Sequence, residues 1–117
     1  MIQQGLIVGL LEVNCYILGD EETKEAVVID PGGDEDAILE VLNHHQFQLK
    51  LIIDTHGHFD HVDANQPLKD ATGAKIAIHT ADAQMLDKPS SEAMFFTGNR
   101  LRLSQPDILL NENDILT

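Results

Sequence analysis

Short runs of branched apolar residues alternate with helical segments along this chain, and that alternation most constrains its fold. Ala26–Ile29 and Leu49–Ile53 are continuous apolar runs, a pattern typical of strands buried on both faces of a sheet. Between them, Asp30–Gly33 (Asp-Pro-Gly-Gly) breaks the first strand, and apolar residues follow at helical spacing over Ala37–Leu42. This order of elements predicts the α/β class, or α+β with mixed strand pairing.

The rest of the chain extends the same pattern. Asp34 is predicted to cap the first helix, which ends near His44, and Gly73 is predicted to end the second. The acidic stretch Asp20–Glu25 is predicted to be an exposed turn. The remaining predicted elements are strands at Leu6–Val8, Asn14–Leu18, Lys75–Ile78, Leu101–Leu103 and Ile108–Leu110, and helices over Asp63–Thr72 and through Met85–Leu86.

The composition narrows the classes of partner and compartment. The 117 residues suffice for one domain, and 20 acidic residues against 7 basic ones give a formal net charge of −13. That charge argues against nucleic acid or an anionic membrane surface as a partner, because both need clustered cations. The single cysteine, Cys15, excludes an internal disulfide and a cysteine-rich zinc module. Since no segment resembles a membrane span or a signal peptide, we expect a cytoplasmic location.

A cluster of potential metal ligands follows the apolar run Leu49–Ile53. His56, His58, Asp60 and His61 fall within six residues, in a chain that has only 6 histidines. Imidazole nitrogens and carboxylate oxygens suit zinc, iron or manganese. The first two histidines, with a glycine between them, can point at one ion, and the adjacent aspartate and histidine can point at a second. Because α/β sheets place their sites after the carboxyl ends of buried strands, the sequence predicts a metal centre here.

The same segment resembles the signature of a known family. Thr55–His61 (Thr-His-Gly-His-Phe-Asp-His) is similar to the T-H-x-H-x-D-H motif of the metallo-β-lactamase-fold hydrolases. Asn14–Tyr16 and Val28–Gly33 resemble segments of the glyoxalase II-like branch of that family. The similarity runs in register from about Gly5 to His79.

The resemblance implies an αββα sandwich with a metal site at the edge of its two sheets. It implies that His56 and His58 bind a first metal and that Asp60 and His61 bind a second. Two zinc ions are expected, with iron or manganese as possible replacements, and together they would activate a water. The implied reaction is hydrolysis of a small-molecule thioester or ester, as in hydroxyacylglutathione hydrolases. Asp60 would also act in catalysis by handling the proton.

The family's further ligands lie in the second half of a longer domain, and no histidine follows His79 in this chain. We therefore expect residues 1–117 to form the N-terminal sheet-and-helix half of a truncated domain, with one sheet face uncovered. An uncovered apolar face predicts a homo-oligomer. We also expect the chain alone to be a poor catalyst, since a catalytic zinc needs three protein ligands.

Two other functions stay open. One is a mononuclear iron sulfur (persulfide) dioxygenase of the same branch, in which His56 and His58 would be ligands together with a later aspartate. The other is a catalytically incomplete metal-binding fragment. The net charge argues against the RNA-processing members of the family.

Three further residues have simple interpretations. Asp30 is predicted to be a turn aspartate that bonds nearby backbone, and the resemblance implies that it supports the site. Cys15 is predicted to pack within a strand rather than to act as a nucleophile. His79 ends a strand on what we expect to be the side of the site, where it is a candidate for substrate contact.

Overall fold

The computed structural model describes residues 2–8, 13–55, 62, 64–79 and 104–110. The predicted elements within these ranges are present, most of them one or two residues longer than the apolar runs that indicated them. In chain order they are β1 (Ile2–Val8), β2 (Val13–Gly19), β3 (Glu25–Ile29), α1 (Glu35–His44), β4 (Gln48–Asp54), α2 (Asn65–Thr72), β5 (Lys75–His79) and β6 (Ile108–Leu110). The predicted helix through Met85–Leu86 and the predicted strand at Leu101–Leu103 lie outside the described residues.

The described strands form one sheet in the order β1-β2-β3-β4-β5-β6. The first three pair antiparallel, with Leu6 opposite Cys15 in the first pair. From β3 onward the pairs are parallel, and Asp54 of β4 lies opposite Ile78 of β5. The mixed pairing follows from the connections, because a tight turn joins β2 to β3 whereas helices join β3 to β4 and β4 to β5. The α/β class is therefore confirmed.

One face of the sheet carries the hydrophobic core. Ile38 and Leu42 of α1 and Leu68 of α2 are buried against it, so both described helices cover this face. Branched side chains from four neighbouring strands meet these helices, and each is at most 1% exposed. The largest of them are Ile17, Val28, Ile52, Ile76 and Ile78.

The opposite face, which we call the open face, is less covered. The prediction that β3 and β4 are buried on both faces is correct only for the helix-covered face, because alternate residues of these strands are half-buried. On β1 and β2 the side chains of Ile7 and Tyr16 are 69% and 40% exposed. By strand register the apolar residues of the open face are Ile7, Tyr16, Leu18, Val27, Ile29, Leu51, Ile53, Ala77, Ile108 and Leu110.

The ends of the helices test the predicted caps. Asp34 stands at the N-cap of α1, but its side chain makes no capping hydrogen bond because its backbone is left-handed, with φ 52°. Its carbonyl accepts the N–H groups of Ala37 and Ile38, as the N-cap carbonyl does at the start of a helix. Gly73 ends α2 as predicted, with φ 76° and its N–H donating to the Lys69 carbonyl at 2.7 Å.

The acidic stretch is an exposed turn between β2 and β3, as predicted. It is closed by the Lys24 N–H donating to the Asp20 carbonyl at 2.8 Å and by the Asp20 N–H donating to the Glu25 carbonyl at 3.0 Å. Neither of the two described helices is long and apolar enough to cross a membrane.

Candidate metal centre

The parallel strands β3, β4 and β5 end at one edge of the sheet, which we call the carboxyl edge. Asp30 follows β3, while Asp54 and His79 are the last residues of β4 and β5. The predicted ligands begin two residues after Asp54. His56, His58, Asp60 and His61 themselves lie outside the described residues, so their convergence on metal ions stays a prediction. The described residues show how the two ends of this segment are held.

The end at Thr55 is held by Asp30. The Asp30 carboxylate is buried and accepts two hydrogen bonds from Thr55, one from its backbone N–H at 2.7 Å and one from its hydroxyl at 2.6 Å. Asp30 has a left-handed backbone with φ 54°, and its N–H donates to the Ile53 carbonyl at 3.0 Å. Asp30 therefore holds both the backbone and the side chain of the residue just before His56. The sequence predicts a bond to the backbone of its own turn, whereas these two bonds reach 25 residues along the chain.

The end at Ala64 is held by the same turn. The N–H of Ala64 donates to the carbonyl of Pro31 at 2.8 Å. Pro31 is fully buried and Ala64 is inaccessible to solvent, so this hydrogen bond is shielded from water. The turn after β3 thus holds the backbone on both sides of residues 56–63.

A second, side-chain connection joins the same two ends. The Asn65 amide Nδ2 donates to Asp54 Oδ2 at 2.6 Å and to Ser104 Oγ at 3.3 Å. These three residues are 0%, 2% and 4% exposed. Within the described residues the Oδ1 atoms of Asp54 and Asn65 have no hydrogen-bond partner. Sequence reasoning missed this cluster, although Asp54 at the end of an apolar run was a signal that a buried polar group needs a partner.

The surroundings of Asp54 favour its neutral form. Burial raises the pKa of Asp54, the hydrogen bond from Asn65 lowers it, and the negative charge of Asp30 raises it more weakly than burial does, so that the pKa is about 8. The carboxyl group is therefore held in a setting where ionisation is costly.

Two other candidates also lie in the described part of the chain. Cys15 is fully buried, and burial together with the Asp30 carboxylate raises the pKa of its thiol to about 12. This confirms Cys15 as a packed strand residue and excludes it as a ready nucleophile. His79 is half-buried at the carboxyl edge, and its contact with substrate stays a prediction. Among the described residues, no three potential ligands of the His, Cys, Asp or Glu type come together.

The comparison with known families decides the identity of the fold. The family model described as the metallo-beta-lactamase superfamily matches residues 8–114. The chain belongs to the metallo-β-lactamase superfamily. In the sequence of this superfamily member, the T-H-x-H-x-D-H segment directly follows β4.

The curated relatives include uncharacterised proteins and proteins named as hydrolases. An uncharacterised protein of Aquifex aeolicus is 29% identical over 99% of this chain and 54% of its own length. The hydroxyacylglutathione hydrolase GloC of Haemophilus influenzae is 38% identical over 59% of this chain and 32% of its own length. The chain spans about half the length of the Aquifex relative and a smaller share of the others.

Solved structures share the fold. The BLEG-1 B3 metallo-β-lactamase is 31% identical, with a TM-score of 0.88 over 99% of this chain and 56% of its own. TTHA1623 in a di-iron-bound form is 28% identical, with a TM-score of 0.79 over 97% of this chain and 56% of its own. ETHE1 from Myxococcus xanthus is 33% identical, with a TM-score of 0.61 over 66% of this chain and 35% of its own.

Proposed function

We propose that this protein is a metal-dependent hydrolase of small-molecule thioesters or esters, similar to hydroxyacylglutathione hydrolases. The observation that carries the proposal is that the turn after β3 holds both ends of the segment that contains the H-x-H-x-D-H motif. Ordinary surface loops have no need for a buried carboxylate on one side and a buried backbone bond on the other. Such support is what a cluster of metal ligands needs in order to keep its geometry.

The chemistry of the proposed ligands fits zinc. His56 and His58 would hold one ion, and Asp60 and His61 would hold a second, with iron or manganese as alternatives. When bound, zinc lowers the pKa of a water toward neutrality and polarises a carbonyl oxygen. The four residues supply only two ligands to each position, so the proposed binuclear site also needs groups beyond them.

Asp60 and Asp30 would have separate roles in the reaction. Asp60 would accept and return a proton as the nucleophile forms and the leaving group departs. Asp30 would keep Thr55, and hence the start of the ligand segment, in one conformation. The partial similarity to GloC supports a thioester substrate of the hydroxyacylglutathione type.

A persulfide dioxygenase that uses a single iron is the second candidate. The similarity to ETHE1 fits this alternative, and the di-iron-bound form of TTHA1623 supports iron as a metal for this fold. In this candidate, His56 and His58 would be two of the iron ligands.

A direct assay separates the candidates. The purified full-length protein would be analysed for metal by mass spectrometry and tested on a hydroxyacylglutathione thioester, a glutathione persulfide with an oxygen electrode, and a β-lactam. Thioester cleavage by the zinc-loaded protein is the expected result. Oxygen uptake on the persulfide with iron would favour the dioxygenase, and a protein that binds no metal would refute both candidates.

We also propose that the open face is covered by a second copy of this chain when the chain is studied alone. The exposed apolar side chains of Ile7 and Tyr16 support this proposal.

Because the four proposed ligands supply only two groups to each metal position, the 117-residue chain alone is proposed to be a poor catalyst. The net charge of −13 supports a small-molecule substrate rather than nucleic acid or a membrane surface.

A further inference from the structure

Asp54 and Asn65 stand on the two sides of the ligand segment. Asp54 is the last residue of β4, and Asn65 is the first residue of α2. Their side chains are joined by the 2.6 Å hydrogen bond from Asn65 Nδ2 to Asp54 Oδ2. This side-chain contact therefore links the strand that precedes the segment directly to the helix that follows it.

The chemistry of Asn65 suits this role. A planar amide nitrogen carries two hydrogens at a fixed angle, and here it serves two acceptors, Asp54 and Ser104. Because all three residues are nearly inaccessible to solvent, water cannot replace these bonds without opening the core. Ser104 comes from a part of the chain 39 residues further on, so the contact also ties the entry to β6 to the start of α2.

This contact uses different groups from the hydrogen bonds made by the turn after β3. Asp30 and Pro31 act on Thr55 and on the backbone of Ala64. Asn65 instead connects β4 to α2 directly, through side chains on the helix-covered side of the sheet. His56 and His58 follow β4 in sequence, whereas Asp60 and His61 precede α2 by only a few residues.

We propose that Asn65 is a positioning residue for the metal centre, which fixes the Asp60–His61 pair relative to the His56–His58 pair. The inference rests on the proposed function, because it assumes that these four residues bind metal. Its consequence is specific. Loss of the Asn65 bond changes the relative placement of the two pairs, so it weakens binding of one ion more than the other.

The test compares the full-length protein with three variants. Asn65→Asp removes the amide donor and places a second carboxyl group against that of Asp54. The exchanged pair Asp54→Asn with Asn65→Asp restores a bond between an amide and a carboxyl group, with the two positions reversed. Gln66→Glu is the matched control, because Gln66 Nε2 donates to the Asp70 carboxylate at 2.9 Å on the exposed side of the same helix. The same amide-to-acid change is thus made one residue away, outside the core.

The readouts are zinc stoichiometry, the two zinc affinities measured by chelator competition, and the absorption spectrum of the cobalt-substituted protein. Thermal unfolding of the metal-free variants measures stability separately. We expect Asn65→Asp to weaken one of the two affinities by roughly 10–100-fold and to alter the cobalt spectrum. We expect the exchanged pair to recover both and Gln66→Glu to match the wild type.

The outcomes distinguish a failure of the proposed function from a failure of the proposed role of Asn65. If the wild type binds no metal, the proposed function itself fails. If the wild type binds two ions and Asn65→Asp behaves as Gln66→Glu does, the positioning role of Asn65 is refuted. If Asn65→Asp does not fold, the metal binding of the exchanged pair tests the positioning role instead. Wild-type stoichiometry and spectrum in that protein support the role, and a folded exchanged pair that has lost one ion overturns it.

Discussion

The buried carboxylate of Asp30 accepts both the backbone N–H and the hydroxyl of Thr55, at 2.7 and 2.6 Å, across 25 residues of sequence. Two charge-assisted hydrogen bonds to one residue fix its backbone and its side chain together. Because Thr55 immediately precedes His56, this pair links the turn after β3 to the proposed metal ligands.

Replacing Asp30 tests the strength of that link. Asp30→Ala removes both acceptors and leaves an alanine with φ near 54°, so we expect the free energy of unfolding to fall by about 2–4 kcal/mol. Asp30→Asn should cost only about 1 kcal/mol, because asparagine tolerates a left-handed backbone and its amide oxygen still accepts the Thr55 N–H. Urea denaturation measures both, with Asp20→Ala in the exposed turn as control. Equal losses in Asp30→Ala and Asp20→Ala would contradict this account.

Removal of His58 tests the ligand assignment. We expect His58→Ala in the full-length protein to lower zinc affinity by more than about 100-fold and to abolish hydrolysis, because the change removes a ligand outright rather than one of its supporting groups. The fold should survive, since a polar metal ligand adds little to the hydrophobic core. His44→Ala, at the exposed end of α1, is the control. Unchanged metal content in His58→Ala would exclude this residue as a ligand.

The ion pair between Lys69 and Asp107 predicts a dependence of stability on pH. The hydrogen bond from Lys69, together with that from the Ile76 N–H, lowers the pKa of Asp107 below its usual 3.8. A lowered pKa in the folded state contributes stability above pH 3.8, and this contribution is lost as the pH falls through the folded value.

Asp107→Asn keeps an acceptor for Ile76 and removes the charge. At pH 7 the variant should be less stable by about 1 kcal/mol or less, because the pair is partly exposed to solvent. Chemical denaturation from pH 7 down to pH 3 should show this difference shrinking toward acid. A stability difference that grows as the pH falls would contradict a lowered pKa of Asp107 in the folded protein.

Burial of Cys15 predicts a protected thiol. With its pKa near 12 rather than the ordinary 9, the folded protein holds about a thousandfold less thiolate at a given pH. Alkylation at pH 8 should therefore be slow in buffer and fast in 8 M urea, as followed by mass spectrometry. Rapid alkylation of the folded chain, at a rate matching that in urea, would show that Cys15 is accessible and reactive.

The open face predicts association of the 117-residue chain. Ile7, with 69% of its surface exposed, contributes apolar area at the edge strand β1. We expect Ile7→Lys to shift the chain toward smaller species in sedimentation velocity runs over a range of concentrations. Gln3→Lys places the same charge on the same strand without removing apolar surface, so it should have a smaller effect. A wild-type chain that sediments as a monomer at all concentrations would refute the proposed association.

The sequence by itself determined the order of strands and helices, the turn after β3, the end of α2 at Gly73 and the spacing of His56, His58, Asp60 and His61. These features depend on neighbouring residues, because periodicity, turn chemistry and ligand spacing are local properties of a chain. The family followed from the same local motifs, and the comparison confirmed it.

Only the tertiary structure decided which distant groups meet. The register of β3 on β4 brings Asp30 to Thr55, and the packing of α2 on the sheet brings Asn65 between Asp54 and Ser104. The structure also showed that β3 and β4 have one fully buried face rather than two. Their apolar runs could not reveal this, because a run of branched residues records how hydrophobic a strand is and not which layer covers it.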